Sequence, residues 1–241
     1  MVEYVASDAR LYGGARSELW RGLKDGIPVM LGFVPFALVL GAQAAAKGFS
    51  IAEVPLMTGL NFGGGSEFAA VELWTSPPHI ALIVAITVLV NSRHLLMGAA
   101  FAPLMQHLSR RKALVALFFM CDESWAMGLA DARKARRGLS AGYFFGVALG
   151  LYVSWIVFTA VGAAVGPLLG DVTRYGFDMA FPAVFLVMLA GMWKGARSAL
   201  PWLISLVVAA TVHLLVPGAW YVPAGALSGV LFSYLLAKPH V

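Results

Sequence analysis

The chain has 241 residues, of which 60% are hydrophobic and only 12% are charged. A soluble globular domain carries about 25% charged residues, so this composition excludes an ordinary soluble protein. The net charge of +5 does not indicate nucleic-acid binding, because the basic residues cluster in short loops and near the amino end. Apolar blocks of about 17–25 residues instead predict an all-α polytopic integral membrane protein.

The first 25 residues differ in character from the rest. Acidic and basic side chains are mixed there, and the apolar core of a signal peptide is missing. We expect a short cytoplasmic amphipathic lead-in over residues 1–25, followed by a single transmembrane domain over residues 26–238. The only cysteine, Cys121, lies in an apolar run, so no intramolecular disulfide is expected.

The first apolar segment is predicted over Gly26–Ala46. Pro28 near its start should be harmless to a helix, whereas Pro35 in its interior should kink it. Gly32 and Gly41 are small enough to let another helix backbone approach closely, and we expect such packing at both.

The second segment, Ile51–Trp74, is interrupted by Asn61-Phe62-Gly63-Gly64-Gly65-Ser66-Glu67. Each of the three glycines costs a helix about 1 kcal/mol relative to alanine. A carboxylate at the centre of the bilayer costs about 2.5–3.5 kcal/mol in the free energy of membrane insertion. The ten residues before Asn61 rise about 15 Å, which is half of a roughly 30 Å hydrocarbon core. The sequence therefore predicts a helix break near the middle of the membrane.

A helix that restarts after this break would present free N–H groups and the positive end of its dipole, which favour an anion. The backbone of Gly63–Gly65, the Asn61 amide and the Ser66 hydroxyl could hold a substrate carboxylate. Glu67 could pair with a substrate ammonium or carry a proton. Close packing through small residues is the alternative, but it explains the glycines and not Asn61 or Glu67.

Two further polar clusters interrupt the third segment, Ile80–Met105, and the fourth, Ala113–Ala130. Asn91-Ser92-Arg93-His94 follows eleven apolar residues of the third segment, and Asp122-Glu123-Ser124 follows nine of the fourth. These runs rise about 16 and 13 Å. We therefore expect all three polar clusters at a similar depth.

The side chains of these clusters suit binding and proton transfer. Asn91 and His94 share a helix face, and histidine is suited to titration near neutral pH. Arg93 is expected either to form a structural ion pair or to bind a substrate carboxylate. Asp122 and Glu123 diverge by about 100° on a regular helix, so both can face one site only if the helix is broken there. One would then pair with Arg93 while the other relays protons; a wet membrane edge is the alternative.

The charge distribution constrains the topology. Four plainer segments are predicted over Ala141–Leu169, Phe177–Trp193, Ala199–Val216 and Tyr221–Ala237. If all eight segments crossed from a cytoplasmic amino end, Arg110-Arg111-Lys112 would lie outside, against the positive-inside rule. The conflict disappears if the second segment is re-entrant from outside and the fourth from inside. Full crossings with one misplaced basic cluster are the alternative, so we predict about six to eight transmembrane helices, with one or two broken or re-entrant.

Together these clusters resemble the AzlC family, the large subunits of branched-chain amino-acid exporters. The likeness begins at Arg21 and includes Gly26-Ile27-Pro28, Pro35-Phe36, the glycine-rich element through Phe68, Asn91-Ser92-Arg93-His94, Asp122-Glu123-Ser124-Trp125-Ala126, Trp155 and Gly176-Phe177-Asp178 leading to Pro182. The family usually has glutamine where this chain has Glu67. This departure would admit a polar, cationic or otherwise different amino acid.

The resemblance implies secondary export of branched-chain amino acids, often with methionine, driven by protons in the bacterial cytoplasmic (inner) membrane. It implies a small four-helix partner subunit of the AzlD type. No cofactor and no metal are expected. The chemistry of the clusters assigns substrate binding to Asn61, Gly63, Gly64, Gly65, Ser66, Glu67, Asn91 and Arg93, and proton coupling to His94, Asp122 and Glu123.

Two other classes of function fit parts of this pattern. A passive channel would explain the polar midplane but not the acid–base pairs. An intramembrane serine protease would use Ser66 with His94 or His213, but Glu67 rather than a glycine follows Ser66. We therefore expect a carrier and not an enzyme.

Overall fold

The computed structural model describes residues 14–136, 138–169, 195–216 and 220–236, together with Met179, Leu186, Ala190 and Trp193. All regular structure in these ranges is helical. Most of the predicted Phe177–Trp193 segment, the motif from Gly176 to Pro182 and residues 1–13 of the lead-in lie outside the described residues.

Ten α-helices are described in these ranges: α1 Ala15–Ala46, α2 Glu53–Asn61, α3 Gly65–Glu72, α4 Ile80–Asn91, α5 Arg93–Phe101, α6 Arg110–Phe118, α7 Asp122–Ala135, α8 Ala141–Val165, α9 Ala196–Leu215 and α10 Tyr221–Leu236. Short 3₁₀ helices follow α5 and α8. Among the described residues, three stretches are long and apolar enough to cross a membrane, namely Ala15–Ala46, Ile80–Met105 and Ala141–Leu168. The chain is therefore an all-α membrane protein, as predicted.

Helix α1 begins well before the apolar segment that marked it in the sequence. It is continuous from Ala15, so Pro28 lies in its interior together with Pro35. The prediction that Pro28 stands near a helix start is therefore wrong, because the apolar run begins within the helix and not at its first residue. Each proline removes one helical hydrogen bond. The cytoplasmic assignment of residues 1–25 stays a prediction.

Helices α1 and α8 run parallel and their backbones touch. A Cβ atom added at Gly22 would collide with the carbonyl oxygen of Tyr143, and one added at Gly41 with that of Thr159. Close packing at Gly41 is thus confirmed. At Gly32, by contrast, an added Cβ would meet no described atom within 4 Å. The expected packing at Gly32 is wrong, because that position faces open space.

Helices α2 and α3 form a folded-back pair, called hairpin 1 (residues 53–72). The Lys47 ammonium, which follows α1, donates to the backbone carbonyl of Glu72 at 3.0 Å. The rings of Phe49 and Trp74 contact each other at an interplanar angle of 53°, with centroids 4.4 Å apart. Both ends of hairpin 1 therefore lie at the carboxyl end of α1.

Helices α6 and α7 form a second folded-back pair, called hairpin 2 (residues 110–135). The backbone N–H of Leu139 donates to the Leu104 carbonyl at 2.8 Å, so the chain returns to where it entered. Arg21 and Asp131 form an ion pair of 2.8 Å that ties hairpin 2 to the amino end of α1. The two hairpins thus enter the bundle from opposite ends, which agrees with the predicted broken or re-entrant helices.

Two buried apolar clusters hold this arrangement together. One joins α1, hairpin 1 and α8 through residues such as Leu40, Phe68 and Leu151. The other joins α5, hairpin 2 and α8 around Phe101 and Phe144. Helices α9 and α10 pack mainly against each other. Burial of these apolar surfaces brings the tips of both hairpins to the middle of α1 and α8.

Candidate functional site

The tip of hairpin 1 is a true interruption of the helix. Helix α2 ends at Asn61, and Phe62 (φ 44°) and Gly64 (φ 52°) adopt positive φ values before α3 begins at Gly65. Gly64 also has ψ −87°, a conformation that glycine adopts far more readily than residues with a Cβ atom. The glycine run therefore permits the backbone to leave the helix and start again.

A chain of amides and a hydroxyl group holds this break to the third segment. The Asn91 amide donates to Asn61 Oδ1 at 3.0 Å, and the Asn61 amide donates to Ser66 Oγ at 2.8 Å. These groups press on Gly63, where an added Cβ would collide with Ser66 Oγ and lie 2.7 Å from Asn91 Oδ1. Asn61, Ser66 and Asn91 thus shape the break from behind.

Glu67 also lies behind the break. Its side chain is 0% exposed. Its carboxylate accepts hydrogen bonds from the Gly63 N–H at 3.0 Å and from Trp155 Nε1 at 2.7 Å. Glu67 therefore fixes the shape of the tip and connects it to α8.

Arg93 joins the two hairpin tips. Its Nη2 donates to the Gly63 carbonyl of hairpin 1 at 3.2 Å. Its Nη1 forms an ion pair of 2.8 Å with Asp122 of hairpin 2. The guanidinium has donors in a rigid fork, so one side chain can hold two acceptors in fixed positions.

The tip of hairpin 2 is a second interruption. Helix α6 ends at Phe118 and α7 begins at Asp122. The Cys121 N–H donates to Ser124 Oγ at 2.9 Å, which caps the new helix. Asp122 and Glu123 both lie in its first turn, where the positive end of the dipole favours carboxylates. In the described part of the chain Glu123 forms no ion pair.

The tips meet around a cavity of about 270 Å³. Its polar lining consists of the backbone at Gly63–Gly65 and the side chains of Arg93, His94, Asp122 and Glu123. Its remaining lining is uncharged and consists of Val29, Gly32, Phe33, Phe36, Phe62, Phe68, Cys121 and Trp155. One wall of the cavity is thus charged, and helix α1 contributes a wall without charges.

Of the residues predicted from the sequence, some line this cavity and some support it. Those that line it are Gly63, Gly64, Gly65, Arg93, His94, Asp122 and Glu123. Those that support the hairpin 1 break from behind are Asn61, Ser66, Glu67 and Asn91. Because α7 begins at Asp122, both acidic residues stand at the amino end of this helix, and both line the cavity.

The aromatic wall of the cavity has no clear signal in the sequence. Phe33 and Phe36 are spaced as neighbours on one helix face, a pattern that also describes ordinary packing. Trp155 lies on a distant segment and contacts Phe33 edge to face with centroids 5.5 Å apart. The one sequence signal for Trp155 is that it belongs to the residues shared with the AzlC family.

Comparison with known proteins gives the family. The model of the AzlC protein family matches residues 28–169, which is more than half of the chain. The chain belongs to the AzlC family. The matched region includes both hairpins, the third segment and all residues that line the cavity.

Curated relatives of this AzlC-family chain cover most of its length. An uncharacterized membrane protein of Archaeoglobus fulgidus is 30% identical over 224 residues, 91% of this chain and 96% of that protein. The inner membrane protein YgaZ of Escherichia coli is 25% identical, over 90% of this chain and 88% of YgaZ. The branched-chain amino acid transport protein AzlC of Bacillus subtilis is 27% identical, over 74% and 70%. No solved structure matches.

Proposed function

We propose that this chain is the large permease subunit of a secondary exporter for branched-chain or related amino acids. One observation carries the proposal: two helix amino termini, one arginine and two carboxylates face a single small cavity whose other wall is aromatic and aliphatic. An α-amino acid presents the complementary set, namely a carboxylate, an ammonium and a side chain. The printed name of the Bacillus subtilis relative supports this substrate class.

The lining suggests how the substrate is oriented. The N–H groups at the start of α3, next to Gly64 and Gly65, suit the substrate carboxylate, with Arg93 adjacent. Glu123, which lacks an ion-pair partner among the described residues, suits the ammonium. The apolar side chain then lies against Phe33 and Phe36. A cavity at the small end of ligand sites fits a substrate of this size.

Proton coupling is assigned chiefly to Glu123. Asp122 is already held by Arg93 at 2.8 Å, so its charge serves the link between the hairpins. Protonation of Glu123 would remove the partner of the substrate ammonium and thereby favour release. His94, whose Nδ1 lies 3.1 Å from the Asn91 carbonyl, is the second titratable group on the same wall.

The opposed hairpins suit alternating access. At the amino end of α1, Arg21 binds both Glu18 and Asp131 at 2.8 Å. At the carboxyl end, an uncharged hydrogen bond of 3.1 Å between the hydroxyl groups of Thr58 and Thr159 joins hairpin 1 to α8. Opening either set of contacts would connect the cavity to one side of the membrane. In this account the ion pairs form the gate at the amino end of α1.

The basic residues support a cytoplasmic location for that same end. Exposed Arg110, Arg111 and Lys112 start hairpin 2, and exposed Arg133 and Lys134 lie near its end. With hairpin 2 folded back, both groups lie on one side, as the positive-inside rule requires.

We further propose an AzlD-type small subunit in the inner membrane as the partner. Exposed apolar side chains such as Leu95 and Leu96, 77% and 76% exposed, offer it or lipid a surface.

The test is counterflow of labelled leucine in proteoliposomes that contain the full chain with and without the small subunit. We expect saturable exchange, and net accumulation when a proton gradient is imposed. Flux that never saturates would favour the passive channel. Saturable exchange that ignores the proton gradient would refute the coupling.

A protease is disfavoured because the Ser66 hydroxyl accepts a hydrogen bond from the Asn61 amide and forms no hydrogen bond with a histidine among the described residues.

A further inference from the structure

Gly32 is the glycine of α1 whose presence helix packing leaves unexplained. Glycine is unfavourable inside a helix, so each one requires a reason. At Gly22 and Gly41 the reason is contact with the backbone of α8, and at Gly26 it is contact with Met30 and Val147. At Gly32 no described atom lies within 4 Å of an added Cβ.

Gly32 instead lies on the wall of the cavity, one turn from Val29 and Phe36. The four residues that α1 contributes to the lining, Val29, Gly32, Phe33 and Phe36, carry no charge. The charged groups of the cavity come from hairpin 2 and α5. A zwitterionic substrate oriented by those charges directs its side chain toward α1. Gly32 is an exposed position of this wall with open space beside it, and a substrate side chain can fill that space.

We propose that Gly32 determines the largest substrate side chain that the transporter accepts. This inference rests on the proposed function, because it assigns a role within the same amino-acid site. The neighbouring Phe33 and Phe36 are bulky and fix the rest of the wall. A larger side chain at position 32 should therefore weaken the binding of leucine and methionine more than the binding of alanine.

The experiment compares Gly32→Ala and Gly32→Val with wild type in proteoliposome counterflow, using unlabelled alanine, valine, leucine and methionine as competitors. One methylene in an apolar pocket changes discrimination by roughly 10–200-fold. We expect the preference for leucine over alanine to fall by about tenfold or more in Gly32→Val, and by less in Gly32→Ala. Gly98→Ala is the matched control, since its Cβ would make only ordinary contact with Leu117 at 3.5 Å.

The outcomes separate this inference from the proposed function. If wild type shows no saturable amino-acid counterflow, the proposed function is wrong and the role of Gly32 falls with it. If wild type transports but both Gly32 variants keep its ranking of competitors, the role of Gly32 alone is overturned. If Gly32→Val does not reconstitute as a monodisperse protein, the smaller change in Gly32→Ala decides, and an unchanged ranking there overturns the inference.

Discussion

At the scale of single residues, neighbours in the sequence have different tasks. Asp122 and Glu123 share the first turn of α7 and line one cavity. Asp122 is bound to Arg93, whereas Glu123 has no ion pair in the described part of the chain. The Asp122 carboxylate is held by a guanidinium and the Glu123 carboxyl group is not, so the two positions should respond differently to the same change.

Glu123→Gln is expected to abolish proton-driven accumulation while substrate exchange persists, because the amide cannot take up and release a proton. Asp122→Asn should instead reduce exchange itself by up to roughly 100-fold, since the ion pair that positions Arg93 is replaced by a weaker neutral hydrogen bond. Counterflow and gradient-driven uptake, measured on both variants, distinguish these outcomes. Normal accumulation by Glu123→Gln would remove this residue from the coupling mechanism.

Glu67→Gln is expected to keep the wild-type ranking of substrates. Glu67 is fully buried behind the tip, and its hydrogen-bond partners are the Gly63 N–H and Trp155. Glutamine retains one acceptor oxygen, so the break should keep its shape with somewhat lower stability. Competition assays and thermal unfolding test this. A changed substrate ranking would mean that the Glu67 side chain contacts the substrate.

At the scale of elements, the hairpin tips are built from backbone geometry as much as from side chains. Gly63 is enclosed by Ser66 Oγ and Asn91 Oδ1. We expect Gly63→Ala to lower the unfolding temperature by several degrees and to reduce transport strongly, because the new methyl group breaks the amide chain. Gly98→Ala, with an ordinary 3.5 Å contact, should be neutral or slightly stabilising, by up to about 1 kcal/mol. Equal stability of both variants in thermal unfolding would contradict this account.

The positions of the breaks could be predicted from the sequence, but their orientation could not. Glycines and charges within apolar runs fix where a membrane helix stops, and α2 ends at Asn61 while α7 begins at Asp122. Whether a side chain faces the cavity depends on how the element is rotated against its neighbours. For this reason Asn61 and Glu67 lie behind the tip, although they are the polar residues that indicate the break in the sequence. Trp155 joins the site through a hydrogen bond to Glu67, which is more than 80 positions away in the sequence. A local sequence pattern does not indicate such a contact.

At the scale of the whole molecule, transport by alternating access requires the amino end of α1 to open. Asp131→Asn removes the ion pair that ties hairpin 2 to Arg21. We expect this variant to expose the cavity more often on that side and to speed alkylation of Cys121 by a membrane-impermeant maleimide. Asp25→Asn is the control, because its carboxylate lies 3.9 Å from Arg21 and its side chain is 48% exposed. Equal labelling rates in both variants would argue against a gate at this end.

The central claim is that an amino acid binds between the two hairpin tips, and Cys121 tests it directly. It is the only cysteine in the chain, it lines the cavity and it is buried, so its alkylation reports reagent that has entered the space between the tips. The measurement is the rate of Cys121 alkylation, followed by mass spectrometry of the reconstituted protein over a series of leucine concentrations. If leucine binds between the tips, it should slow alkylation saturably, at the concentrations that saturate counterflow. An alkylation rate unaffected by leucine while counterflow is saturated would contradict it.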